Sequence, residues 1–314
     1  MVRLAAGVPN NALLELTADL AARLEVARVI GISACQPVQI YGSLTSGVHN
    51  DALLQETSDP SVRLRMGRAI GISACQPAHI YHSADRYVLP ELVAREREQI
   101  DQELKAAEKA FRSALEGKVA AVEWRSAVVT CGSIADYVVE QMRAADLLVT
   151  AAQEGSLLDR WRYVGVADLV LRAGRPVLVA AASQSKLDLR TVVVSWKDAR
   201  EARRAVQDAL PLLRLAERVV VVEVVASADL ADARARTHDV VAWLTSHGIA
   251  ATAQAIAART GEAVELRNIA SDLELDAGLI VGGAYGHTRL REWVLGGVTR
   301  DFLLQPDRCS FVSH

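Results

Sequence analysis

The feature that most constrains this chain is a strict alternation of short, β-branched apolar runs with longer amphipathic ones. In the C-terminal half, "TVVVSW" (191–196) precedes a helical pattern over 200–216, and "RVVVVEVV" (218–225) precedes another over 229–247. "ATAQAIA" (251–257), a helical pattern over 262–273, an apolar run at 278–281 and a last run at 309–313 complete the series. The N-terminal half repeats the theme, with a long charged helix over 90–116, strand 119–124, helix 133–144, and strands 147–149 and 176–181. Runs this short, separated by helices, predict parallel sheets covered on both faces. The expectation is α/β, with two tandem doubly wound domains over 1–185 and 186–314. The polar stretch "SQSKLD" (183–188) has linker composition between them.

Bulk properties narrow the partners. The 314 residues suffice for two buried cores, and 51% hydrophobic against 23% charged residues is a globular balance. A net charge of −3 gives no footprint for nucleic acid or an anionic membrane. The apolar stretch over 169–179 is broken by Arg172, Gly174 and Arg175, and the opening "MVRLAAGVPNN" lacks the core of a secretory signal. Four cysteines without CxxC spacing fit a reducing compartment. A cytoplasmic protein is expected.

A local duplication sits in the first half. Residues 8–43 recur forty positions later as residues 48–83, with about 21 of the 36 aligned positions identical. Each copy reads as a helix, a strand ("VIGISA", "AIGISA") and a Gln-Pro turn. Two copies are too few for a solenoid. In the second copy "SDPS" (58–61) interrupts the helical stretch, because proline removes a donor and disfavours helix before it. Copy one is therefore expected inside the sheet, with about 44–83 as a partly irregular insertion. The alternative is that both "IGISA" strands take neighbouring sheet positions.

The stretch "GAYGHTRLREWVLGG" follows the fourth strand of the second half. In a doubly wound sheet, ligands bind beyond the C-terminal strand ends, where the winding reverses, between the loops after strands one and four. Glycines there let backbone N–H groups approach an anion. Gly283, two residues, Gly286, nine residues and Gly296 match the nucleotide-binding pattern of the universal stress protein family. "VVVSWKDAREARRAVQDALPLL", "CSFVSH" and, more loosely, "ADLVLRAGRPVLV" extend the resemblance, so the whole chain resembles a tandem universal stress protein. That resemblance implies strand order 3-2-1-4-5 in two five-stranded sheets, and ATP or a related adenine nucleotide, with its Mg2+, in the second half. It also implies that 176–181 faces 309–313 in an intramolecular pseudo-dimer, the family's homodimer contact made within one chain.

The nucleotide residues implied are Ser195, Trp196, Lys197, Asp198, Gly283, Gly286, Arg289, Gly296, Gly297, Val298 and Thr299. Gly297 stands where the pattern has serine or threonine, and the missing hydroxyl removes one donor, worth roughly 0.5–1.5 kcal/mol. In the first half Ala151 and Glu154 fall opposite Gly283 and Gly286, and Tyr163 and Val164 opposite Gly296 and Gly297, so no nucleotide is expected there. Asp198 with Glu201 also has capping-box spacing, and Trp196 also suits the core. Arg289, Arg291 and Arg300 flank the glycines and could meet phosphate oxygens, against a solvated face for at least two of them, and His287 could do proton chemistry, against the plainer reading of a surface histidine.

His79, His82 and Asp85 form an HxxHxxD group that could take zinc, against the plainer reading of a loop. Cys35 and Cys75 are equivalent strand-end thiols of structural type. No P-loop lysine pattern specifies hydrolysis. The leading expectation is a stress-response protein that binds nucleotide and acts through conformation or partner contact. The alternatives are a slow nucleotide or metal-dependent hydrolase and a structural partner-binding protein with an empty pocket.

Overall fold

A computed structural model describes residues 1–5, 7, 9–26, 28–35, 69–75, 90–129, 133–151, 164–181, 184–258, 265, 268–269, 276–284 and 308–314. The first half comprises β1 (Val2–Leu4), α1 (Asn11–Arg23), β2 (Arg28–Cys35), β3 (Ala69–Cys75), α2 (Pro90–Leu115) and β4 (Ala121–Val128). It continues with α3 (Ile134–Gln141), a 3-10 turn, β5 (Leu148–Ala151), α4 (Val166–Arg172) and β6 (Val177–Ala180). The second half holds β7 (Thr191–Ser195), α5 (Arg200–Leu213), β8 (Arg218–Val225), α6 (Leu230–Ser246), β9 (Ala251–Ala257), β10 (Leu279–Gly283) and β11 (Cys309–Ser313).

The second half is wound β9-β8-β7-β10-β11, all parallel, which is the expected 3-2-1-4-5 order. The first half gives the same order once β2 and β3 are taken together as its second strand: β4, then β2 and β3, then β1, β5 and β6. The two sheets join edge to edge, because β6 and β11 pair antiparallel (Val179 with Ser310, Leu178 with Phe311, Val177 with Val312) into one sheet of eleven described strands. The edges expected to face each other, 176–181 and 309–313, are the ones that meet. In the duplication, the second copy supplies the strand read in "AIGISA", β3, which pairs parallel with β2, the placement given as the alternative. The reason is that "AIGISAC" keeps nearly all the β-branched and small residues of β2.

Period-two patterning builds the core. On β8, Val219 and Val221 pack toward α5 and α6, whereas Val220, Val222 and Val224 join Val193, Ile269 and Ile280 on the opposite face. The first of these clusters crosses the joint. It takes Leu13 and Leu16 of α1, Phe111 and Leu115 of α2, Leu178, Phe311, and Ala205 and Leu213 of α5. The stretch of linker composition is not a free tether, since Leu187 is fully buried in that cluster. Helix α5 stops at Leu213, short of the expected Ala216. Beyond it the N–H groups of Leu215 and Ala216 turn to Leu212 O and Leu213 O, three residues back, a tightened end in place of a further α turn. Among the described residues no helix is long and apolar enough to cross a membrane.

Candidate functional site

Strands β7 and β10 are neighbours with Gly282 opposite Ser195, and the chain winds away from them in opposite directions. Their C-terminal ends therefore frame the crevice of the second half. Ser195 ends β7, and Gly283 ends β10 immediately before "AYGHTRLREWVLGG". The structure thus brings Ser195, Trp196, Lys197 and Asp198 to the same crevice lip as Gly283. Gly286, Arg289, Gly296, Gly297, Val298 and Thr299 lie outside the described residues, as do His79, His82 and Asp85.

Gly283 has a packing reason to be glycine. A Cβ there would stand 2.5 Å from the Ala202 nitrogen and 2.8 Å from the Glu201 carbonyl oxygen, so the first turn of α5 occupies that space. The close approach holds the N-terminus of α5, with its unpaired N–H groups, against the end of β10.

The residues after β7 divide. The Trp196 backbone N–H donates to Val222 O at 2.8 Å, continuing the ladder to β8 beyond the end of β7. Its ring is buried, and among the described residues the indole Nε1 has no acceptor. Asp198 does not cap α5. The helix begins one residue later than capping-box spacing requires, so Ala199 precedes it without a side-chain cap, and Asp198 is ion-paired with Arg203. Glu201 is consequently not the box partner. It is buried, one carboxylate oxygen accepts from Arg200 Nη2 at 3.2 Å, and the other has no partner among the described residues.

Beside this lip, a groove of about 430 Å³ opens between α5 and α6, lined by Trp196, Asp198, Arg203, Gln207, Arg236 and Trp243 among others. Its inner wall is organised by a pair that the sequence reading missed. Glu223 of β8 is buried and accepts from Arg236 Nη2 at 2.8 Å and from Nε at 3.2 Å. The bond to Glu223 holds the Arg236 guanidinium above its ordinary pKa. The signal was available in "VVVVEVV". A lone carboxylate in step with inward-facing Val219 and Val221 must be buried and therefore needs a cation. Among the described residues, no group of three or more His, Cys, Asp or Glu side chains is arranged to hold a metal.

The full chain superposes on the crystal structure of a universal stress protein from Archaeoglobus fulgidus DSM 4304 with a TM-score of 0.60, covering 99% of this chain and 95% of that one at 11% identity. The fold is that of the universal stress proteins. A functionally unknown protein from Pseudomonas aeruginosa PAO1 aligns with a TM-score of 0.48 and 15% identity, over 73% of this chain and 89% of its own. Universal stress protein UspA from Lactobacillus plantarum aligns with a TM-score of 0.35 and 14% identity, over 40% of this chain and 98% of its own. No protein-family model matches the sequence, and no curated protein does. Within the universal stress protein fold seen here, the lip formed by Ser195 to Asp198 and Gly283 lies at the switch point of the second half.

Proposed function

We propose that this is a cytoplasmic stress-response protein that holds ATP or a related adenine nucleotide in its second half. It acts through the conformation of the loaded state or through a protein partner, without a defined reaction of its own. The observation that carries this reading is the pairing of Gly282 with Ser195, which brings Gly283, the first glycine of the motif, and the loop after β7 to one switch point. Three features support it. The N-terminus of α5 is pressed against the end of β10 and favours an anion there. The Asp198 carboxylate is half-exposed and could exchange Arg203 for ribose hydroxyls. Trp196 keeps an indole N–H that has no acceptor among the described residues. The phosphates would fall to Gly286, Arg289, Gly296, Gly297, Val298 and Thr299, and Mg2+ would arrive with them.

Denaturing freshly purified protein and identifying what it releases tests the reading. About one adenine nucleotide per chain is expected, absent from a Gly286→Glu variant. Gly283→Glu is unsuitable, because its side chain would collide with the backbone of α5 whether or not a ligand binds. Asp198→Ala should weaken ATP binding by about 2- to 10-fold, the loss of one hydrogen-bonding partner. A protein that releases no nucleotide and binds no added ATP at ~1 mM would overturn the proposal.

A further inference from the structure

The duplicated strands compete for one place. A strand inside a single-layer sheet has two lateral neighbours. Both β2 and β3 have three, since the pairings include β1–β2, β1–β3, β2–β3, β2–β4 and β3–β4.

Their registers are the same. Val2 and Arg3 of β1 stand opposite Gly31 and Ile32, which continues to Leu4 opposite Ser33; in β3, Leu4 stands opposite Ser73, forty positions on. Against β4, Arg28 with Ala121 and Ser33 with Ser126 imply Gly31 opposite Trp124, and Gly71 is the residue found there in β3. The strands also pair with each other residue for repeat residue, Ile30 with Ile70 and Ile32 with Ile72. A shift of forty residues therefore maps one strand onto the other in every pairing they make.

We infer that β2 and β3 are alternative occupants of the single position between β1 and β4, so that the chain interconverts between two topologies. The side chains make the exchange close to neutral. In β2, Ile30, Ile32 and Ala34 are fully buried, and Arg28 donates to Glu123 of β4 at 2.7 Å. The second copy carries Ile70, Ile72, Ala74 and Arg68 at the same repeat positions. Over the eight residues of β2 the copies differ only at Val29 and Ala69, which biases the position toward β2, because Val29 is buried and the smaller residue fills less of that core.

The preceding helix does not exchange. Leu16 and Leu20 of α1 are buried, and their repeat equivalents are Glu56 and Pro60. A charge and a helix breaker cannot take over those contacts. The switch is thus confined to the strand, with α1 kept and β2 displaced when β3 is seated.

Proline in each strand of the full-length protein tests this, because proline removes a ladder donor and is not tolerated in a central strand. Ile32→Pro should fold with wild-type-like far-UV circular dichroism and show amide protection confined to 69–75. Ile72→Pro should fold with protection confined to 28–35. The double variant should lose the first half. In the wild type, hydrogen exchange with mass spectrometry should give two populations in each segment, with complementary fractions. If Ile32→Pro alone unfolds the first half, β2 is the obligatory strand and the inference is wrong. If both segments of the wild type are fully protected in one population, they are adjacent strands, and it is equally wrong.

Discussion

At the scale of single residues, burial decides what each polar group can do. Cys309 begins β11, beside the joint between the halves. Burial pushes its thiol up to about 11, only partly offset by a hydrogen bond from the Ala181 backbone. Thiolate is the reactive form, and the ordinary value is 9.0, so at pH 8 ionisation alone should slow alkylation by about 100-fold. The rate should rise with pH until about 11, and unfolding in denaturant should restore ordinary reactivity. Alkylation of Cys309 itself, read by peptide mapping apart from the other three cysteines, at an ordinary thiol's rate at pH 8 would contradict the burial. Glu223 and Arg236 pose the converse problem. Arg236→Ala leaves a buried carboxylate without its cation and should lower the midpoint of chemical denaturation. Replacing both by Leu and Met should recover most of that loss, because the penalty lies in the orphaned charge. At the N-terminus of α3, Ser133 accepts from the Asp136 N–H at 3.1 Å while Asp136 accepts from the Ser133 N–H at 2.8 Å. Arg172 first, then Ser133, holds the Asp136 carboxyl at about 2, below its ordinary 3.8. A depressed carboxyl stabilises the fold above its unfolded value, so this contribution should fade as pH falls from about 4 to about 2. Ser133→Ala should raise the Asp136 midpoint in a carboxyl NMR titration, and no change would mean that the capping box is not formed in solution.

At the scale of elements, close packing replaces flexibility as the reason for Gly283. Even one methyl group there meets backbone atoms of α5 at 2.5 Å, and backbone cannot rotate away. Gly283→Ala should therefore cost about 2 kcal/mol by overpacking, read as a lower denaturation midpoint in protein freed of nucleotide. A neutral result there would show that α5 does not press on β10 as described. Elements were legible where one local rule acted alone. "RVVVVEVV", "ATAQAIA" and "CSFVS" read as strands over the residues that form β8, β9 and β11, because each is apolar, β-branched or small and bounded by polar turns. The crevice position of Ser195 to Asp198 was legible too, since strand order alone determines it. The start of α5 was not. Capping-box spacing pointed to Asp198, whereas the contact of Gly283 with Glu201 and Ala202 belongs to the tertiary structure and is invisible to spacing. The pair of Glu223 with Arg236 joins residues thirteen positions apart on a strand and a helix, and periodicity only hinted at the strand half of it.

At the scale of the whole molecule, the joint makes the two halves one cooperative body. Domains linked by a polar stretch move independently unless an apolar interface prevents it. Here the sheet runs through β6 and β11 without a break, and a single core cluster contains Leu16, Phe111, Leu178, Leu187, Phe311 and Leu213. Polar ties reinforce it: Arg23 Nη1 donates to Leu187 O at 3.0 Å, and Arg204 Nη2 donates to Gly174 O at 3.2 Å, from one half to the other. Separate unfolding of either half would expose one flank of that cluster and leave an open sheet edge, so both halves should melt together. Trp124, packed on Phe111 with ring centroids 5.4 Å apart, reports the first half, and Trp243 on α6 reports the second. Phe311 lies almost fully buried at the seam, and Phe311→Ala should cost about 3–5 kcal/mol. Because the seam is shared, that loss should shift the transitions of both tryptophans by the same denaturant concentration. A variant in which Trp243 unfolds first while Trp124 keeps its wild-type midpoint would show two independent domains, with the β6–β11 pairing a contact rather than a fusion.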